Sequence, residues 1–257
     1  MDKFFLLGYP IHYSLSPKIY KELFRERKIN ATYELFPTKR EELMKRIEDF
    51  LEDKTVRGFN LTQPLKEEIL KLDVKLRGVA GEIHSVNSVK IQNKKLIGFN
   101  TDYAGFKKSL FDFKEEILQK NAALFGAGGA AKAVVKALID TGVSNVFIIN
   151  RTFKKAEKIK ELFNGNVLPV PLEDAAQFVK KSKLIVNATT VGLKDDKTVI
   201  KPEWINKDMI LYDLIYAKKT TFLKIGEEKA KYTKNGFDML YFQCIENVNI
   251  WYGGKND

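Results

Sequence analysis

The sequence predicts an α/β protein made of two open α/β units flanking a cleft. Three observations carry that expectation. Strand-like apolar runs alternate with helix-periodic runs along most of the chain, a rhythm that packs helices onto parallel sheets. It is interrupted near residues 101–105, where a strand-like segment gives way to a new helix. No short repeat, low-complexity tract or long linker intervenes, and 257 residues suit one large domain or two modest ones.

The elements follow in order. Residues 4–7 are an uninterrupted apolar run, the mark of a buried strand, and too short for the core of a secretory signal. Residues 17–28 have helical period, with Ser16 as N-cap and Pro17 as first helical residue. Residues 31–36 alternate as a strand, and 40–51 read as a helix. An extended run at 56–61 precedes a helix at 65–72, and 95–99 is the strand before the break. Beyond it, strands at 122–125 and 146–149 are followed by helices at 131–140 and 154–163, and further strands fall at 184–188 and 210–214.

Composition narrows the class. The net charge is +11, from 44 Lys and Arg against 33 Asp and Glu. Glutamates lie among the lysines, and no basic block interleaved with aromatics occurs, so the charge reads as a solvated surface and no nucleic-acid partner is expected. The single cysteine, Cys244, excludes an intrachain disulfide and fits a reducing compartment. No stretch approaches the ~18 apolar residues of a membrane span, so no membrane partner is expected and the default location is the cytoplasm. His12 and His84 stand far apart, and no cluster has metal-ligand spacing, so no metal is expected.

The most informative motif lies between residues 121 and 131. A short apolar strand ends at Phe125 and runs into Gly126-Ala127-Gly128-Gly129-Ala130-Ala131, after which a helix begins. This is G-x-G-x-x-A in strand–turn–helix context, the arrangement that binds a dinucleotide in Rossmann-type domains. Gly126 permits the turn, Gly128 lets a pyrophosphate approach the backbone, and the helix N-terminus offers N–H groups to the phosphates. The next strand ends at Asn150-Arg151-Thr152, followed by Lys154 and Lys155. An NAD site would carry Asp or Glu there for the ribose 2′-hydroxyl. Arg151 instead offers a planar fork of donors to a 2′-phosphate, which points to NADP.

Three polar clusters lie where strands give way to helices in the first hundred or so residues. Ser14 and Ser16 put two hydroxyls near a helix N-terminus, a setting suited to a carboxylate, although capping alone would explain Ser16. Asn60 and Thr62 alternate to one side of a strand end, and Lys66 falls in the first turn of the following helix, where the dipole opposes a cation. Asn100-Thr101-Asp102 precedes another helix, with Thr101 or Asp102 as the expected cap. Together they offer hydroxyls, amides, a lysine and a carboxylate, an inventory suited to a polyhydroxylated carboxylate.

At this point the chain resembles the shikimate dehydrogenase family. The resemblance rests on Gly8-Tyr-Pro-Ile11 with Ser14-Leu-Ser-Pro17, Asn60-Leu-Thr-Gln-Pro-Leu-Lys66, Ser85-Val-Asn-Ser88 and Asn100-Thr-Asp102. It continues through Gly126-Ala-Gly-Gly-Ala130, Asn150-Arg-Thr152, Asn187-Ala-Thr189, Asp213-Leu-Ile-Tyr216 and Gly236, Met239, Leu240, Gln243. It implies reversible reduction of 3-dehydroshikimate to shikimate by NADPH, on the way to chorismate and the aromatic amino acids. It implies Lys66 and Asp102 as the catalytic pair, Ser14 and Ser16 on the substrate carboxylate, and Asn60, Thr62, Asn87, Tyr216 and Gln243 around the ring. It assigns Gly126, Ala127, Gly128, Gly129, Ala130, Asn150, Arg151, Thr152, Lys155, Thr189, Leu214 and Gly236 to the cofactor. A closing helix at 237–252 would pack back on the first domain, so the implied domains are 1–101 with 237–257, and 102–236. The resemblance leaves a homodimer open.

The chain departs from the family where Tyr13 and Tyr20 replace usual histidines, His84-Ser85 replace Gly-Ala, Ser88 replaces Thr, and Lys218 replaces a proline. Two alternatives share the motifs: a quinate/shikimate dehydrogenase using NAD or NADP, and a non-catalytic NADP-binding regulator.

Overall fold

The structure is a computed structural model, and it describes residues 1–253. Residues 254–257, the tail of the expected first domain, lie outside the described residues. The chain divides into two compact units, one of Met1–Gly105 with the segment from Leu240 onward, the other of Phe106–Met239.

The first unit is built on a six-stranded sheet. Its strands are β1 (Asp2–Gly8), β2 (Ala31–Pro37), β3 (Val56–Leu61), β4 (Val74–Leu76), β5 (Ser88–Gln92) and β6 (Lys95–Phe99), in the order β2-β1-β3-β5-β6-β4. The β1, β2 and β3 neighbours are parallel, but β5 runs antiparallel to both β3 and β6. The sheet is therefore mixed, which corrects the parallel expectation for this unit. The cause is local: β5 and β6 form a hairpin whose two turn residues, Asn93 and Lys94, both have positive φ, the twist that a two-residue hairpin turn needs. One face packs Phe5, Leu7, Phe59, Leu61 and Val89 against Ile47 and Phe50 of helix α2 (Leu43–Glu52). The other packs Phe4, Leu6 and Tyr33 against Tyr20, Leu23 and Phe24 of α1 (Ser16–Glu26) and against Cys244, Val248 and Trp251.

The second unit has an all-parallel sheet of β7 (Asn121–Phe125), β8 (Asn145–Ile149), β9 (Val167–Val170), β10 (Leu184–Asn187), β11 (Ile210–Asp213) and β12 (Tyr232–Asn235). The order β12-β11-β10-β7-β8-β9 is the Rossmann order, and its switch point lies between β7 and β10. The central strands are mostly buried apolar residues, as a sheet covered on both faces requires.

Helix 40–51 opens with a 3-10 turn, Arg40–Glu42, and 65–72 splits into a short α-helix, Leu65–Glu68, and a 3-10 turn, Ile69–Lys71. Four strands are missing from the sequence reading: β5, which lies inside the first sheet, and β4, β9 and β12, which are edges of their sheets. Edges face solvent on one side and need no apolar run; β9 even carries Pro169.

Candidate active site

The first unit gathers its polar residues by sheet register. Strands β3, β5 and β6 are neighbours, with Asn60 opposite Ser88 and Ser88 opposite Phe99. Asn60 near the end of β3, Asn87 just before β5, and Thr101 just after β6 are thus drawn to one end of these strands. Helix α5 (Thr101–Ser109) starts there, and its cap differs from the expectation. Asn100 Oδ1 accepts from the Tyr103 N–H at 3.2 Å, so Asn100 serves the helix end. Thr101 and Asp102 lie inside the first turn, and the Asp102 carboxylate is left for other partners.

Those partners are Lys66 and Asn87. Lys66 lies in helix α3 (Leu65–Glu68), and its Nζ donates to Asp102 Oδ2 in an ion pair whose side chains are only 15% and 10% exposed. The Asn87 Nδ2 group donates to Asp102 Oδ1 at 2.8 Å and to Thr101 Oγ1 at 3.0 Å, while Asn87 Oδ1 accepts the Thr101 N–H at 2.6 Å. Asp102 is thereby held from both oxygens. The pairing also explains a cation that the helix dipole disfavours: the carboxylate opposite supplies what the dipole withholds.

A second chain of bonds runs from Thr101 into helix α11 (Phe237–Tyr252). Thr101 Oγ1 lies 3.2 Å from the amide oxygens of Gln243 and Asn247. The Asn247 Nδ2 group donates to Gln243 Oε1 at 2.9 Å and to the Tyr20 hydroxyl at 2.7 Å. The Tyr20 hydroxyl donates to Asn60 Oδ1 at 3.0 Å, Tyr33 donates to the same oxygen at 2.8 Å, and Asn60 Nδ2 donates to the Asn87 carbonyl at 3.0 Å. Gln243 Nε2 donates to the Leu240 carbonyl and to Cys244 Sγ. Burial pushes the Cys244 thiol up to about 12, so it is a poor nucleophile. Sequence reasoning missed Asn247 and Tyr33. The signal for Asn247 was its place four residues after Gln243, on a helix face otherwise carrying Leu240, Cys244 and Trp251.

Ser14 and Ser16 are together, with roles reversed from the expectation. Ser16 is the first helical residue of α1 rather than its cap, and no side chain caps the Leu15 position. Ser14 Oγ accepts the Ser16 N–H at 3.3 Å and donates to Ser16 Oγ at 3.1 Å, so Ser16 keeps its own hydroxyl proton. Thr62 follows β3 directly and is half-buried. Tyr13 is exposed, and the Ser88 hydroxyl is buried with no hydrogen-bond partner among the described residues.

In the second unit, Gly126 ends β7 with φ +110, and a Cβ there would press within 2.9 Å of the Ala188 carbonyl. Gly128 precedes helix α7 (Gly129–Asp140) in extended backbone and faces open space. That end has no side-chain cap and no acidic residue in its first turn. These features fit a pyrophosphate approaching the backbone. After β8, Asn150 Nδ2 donates to the Thr152 carbonyl at 2.8 Å, and Arg151, Thr152 and Lys155 are exposed. Across the switch point, Thr189 donates its N–H and hydroxyl to Asn187 Oδ1, and a Cβ on Gly236 would collide with the Leu214 carbonyl.

Asp213 anchors these loops. Fully buried, it accepts from Asn187 Nδ2 at 3.0 Å, from the Ile215 N–H at 3.1 Å and from the Thr220 hydroxyl at 2.5 Å. Burial pushes its carboxyl up to about 6, against those three hydrogen bonds that favour the ionised form. Tyr216 is half-buried in the loop that Asp213 holds, and Lys218 donates to the Asp195 carbonyl at 2.9 Å.

Comparison with known proteins identifies the family. Residues 6–89 match the model of the shikimate dehydrogenase substrate binding domain, and residues 108–210 match that of shikimate / quinate 5-dehydrogenase. The chain is 41% identical over 249 residues to the NADP(+) shikimate dehydrogenase of Aquifex aeolicus, covering 96% of this chain and 90% of that one. A crystal structure of shikimate dehydrogenase from the same organism superimposes with a TM-score of 0.89 at 40% identity, covering 100% of this chain and 94% of that one. The Thermus thermophilus shikimate 5-dehydrogenase, solved with NADP(H) and shikimate, gives 0.87 at 34% identity, covering 100% and 95%. With relatives this similar over nearly its whole length, the chain belongs to the shikimate dehydrogenase family.

Proposed function

We propose that this protein is an oxidoreductase that reversibly reduces 3-dehydroshikimate to shikimate with NADPH, in the cytoplasm. The observation that carries the reading is the buried Lys66–Asp102 pair, held by Asn87 at one end of the first sheet. When bound, NADPH supplies a hydride to the ketone carbon. The Gly126–Ala130 turn and the N-terminus of α7 would hold its pyrophosphate, and Asn150, Arg151, Thr152 and Lys155 its 2′-phosphate. Thr189, Leu214 and Gly236 would complete that site.

The remaining work falls to side chains. The Lys66 ammonium stabilises the negative charge that builds on the ketone oxygen and donates a proton to it. Asp102 keeps Nζ in place through Oδ2, and Asn87 keeps Asp102 in place through Oδ1. The Ser14 and Ser16 hydroxyls bind the substrate carboxylate. Asn60, Thr62, Asn87, Tyr216 and Gln243 contact the ring and its hydroxyls.

A steady-state assay of shikimate and quinate oxidation, each with NADP and with NAD, tests the reading. The expected outcome is a strong preference for shikimate with NADP. Preference for quinate with NAD would favour the broader quinate/shikimate activity, and no turnover of either would favour a non-catalytic NADP-binding role.

A further inference from the structure

We propose that Tyr20 is a positioning residue: with Tyr33 it pins the Asn60 amide so that Asn60 presents a donor, not an acceptor, to the ring substrate. The inference rests on the assignment of Asn60 as a substrate contact.

An asparagine amide has nearly the same shape either way round, so its hydrogen-bond partners decide which end donates. At Asn60 the partners leave one choice. The Tyr20 hydroxyl accepts from Asn247 Nδ2 and donates to Asn60 Oδ1. The Tyr33 hydroxyl donates to the same oxygen from the other tyrosine, whose ring stacks on that of Tyr20 at 3.9 Å. On the other side, Asn60 Nδ2 faces the backbone carbonyl of Asn87, which can only accept. A reversed amide would set its oxygen against that carbonyl and give up the two hydroxyl donors.

Asn247 extends the constraint. Its two Nδ2 protons go to Tyr20 and Gln243, so the sense of every bond from Gln243 to Asn60 is set. Tyr20 and Asn247 are fully buried and Asn60 nearly so, where an unpaired amide or hydroxyl is costly. Burial also pushes the Tyr20 phenol well above its ordinary range, which keeps its proton in place. One Nδ2–H of Asn60 then remains for a ligand, and it favours a ring oxygen that accepts. The site discriminates through that single donor, because a ring lacking the matching oxygen leaves a buried N–H unpaired.

The test uses the full chain with the substitutions Tyr20→Phe, Tyr33→Phe, both together, and Asn60→Ala. Phenylalanine keeps the ring stack and removes only the hydroxyl. Tyr20→Phe should raise KM for shikimate about five- to twentyfold while KM for NADP stays within about twofold, the loss expected of one buried hydrogen bond. Tyr33→Phe, which frees the same oxygen from strand β2 rather than helix α1, should act alike and carries the test if Tyr20→Phe folds poorly. The double variant should discriminate shikimate from an analogue lacking one ring hydroxyl no better than Asn60→Ala does. Equal changes in both KM values, an unchanged shikimate KM, or full discrimination in the double variant would overturn the proposal. A wild-type chain that oxidises shikimate while Tyr20→Phe behaves like it refutes the positioning role alone. A wild-type chain that does not oxidise shikimate refutes the activity as well.

Discussion

Lys66 and Asp102 lie 36 positions apart in the chain and meet because two strand ends and two helix starts lie at the same end of one sheet. At this scale the chemistry depends on single groups. Lys66→Ala should lower kcat by about 10²- to 10⁴-fold with a modest change in KM, the loss of a positioned acid that also stabilises an oxyanion; turnover near the wild-type rate would refute its role. Arg151 is exposed at the end of β8, where no carboxylate is available for a ribose hydroxyl. Arg151→Ala should therefore raise KM for NADP far more than KM for NAD, and equal losses would remove the 2′-phosphate assignment. Both residue types were readable in the sequence, because a lysine in an N-terminal turn and an arginine after a Rossmann strand each break a local preference. The Asn247–Tyr20–Asn60 chain was not readable. Its members come from α11, α1 and β3, and nothing local to any of them names the others.

Among the elements, the loops after β10 and β11 show how one buried group organises backbone. Asp213 bonds Asn187, which in turn bonds Thr189, and it also bonds the Ile215 N–H and Thr220, whose hydroxyl caps helix α10 (Thr221–Lys229). The carboxyl is raised in the folded chain to about 6. Between its ordinary value near 4 and 6, the folded state holds a proton that the unfolded state has released, so this group's contribution falls as pH rises through that window. The effect is about 3 kcal/mol at most, complete above pH 6. Asp213→Asn should flatten the dependence of Tm on pH between 4 and 6; a slope identical to the wild type would show that Asp213 is not the group responsible. The same element scale explains the strands that sequence periodicity missed. An edge strand such as β12, Tyr-Thr-Lys-Asn, is held by pairing to β11 and carries almost no apolar signal of its own.

For the molecule as a whole, the two units answer to different sequence signals. The second is a regular parallel sheet whose central strands are mostly buried apolar residues, and those strands were legible as part of an alternation of strands and helices. The first depends on distant segments. Trp251, near the C-terminal end of α11, stacks on Phe4 of β1 with ring centroids 4.2 Å apart and donates from its indole N–H to the Val89 carbonyl at 3.1 Å. Trp251→Ala should cost about 3–5 kcal/mol of stability, the range for deleting a large buried aromatic; a shift under about 1 kcal/mol in denaturant titration would show that α11 contributes little to this core.

By itself, the sequence determined the α/β class and the glycine turn, and it pointed to Arg151, Lys66 and Asp102 as the residues proposed for the 2′-phosphate and the chemistry. All of these are local in origin: a period, a turn that demands glycine, a charge at a strand end. Only the tertiary structure decided that Asn100 rather than Thr101 or Asp102 caps its helix, that the first sheet is mixed, and that Tyr20, Tyr33 and Asn247 join one hydrogen-bond chain with Asn60. Those outcomes depend on strand register and on the return of the C-terminal helix to the first core, through contacts such as Asn247 with Tyr20, 227 positions apart. Local patterns carry no information about such pairings, since the bonds exist only once the segments have packed.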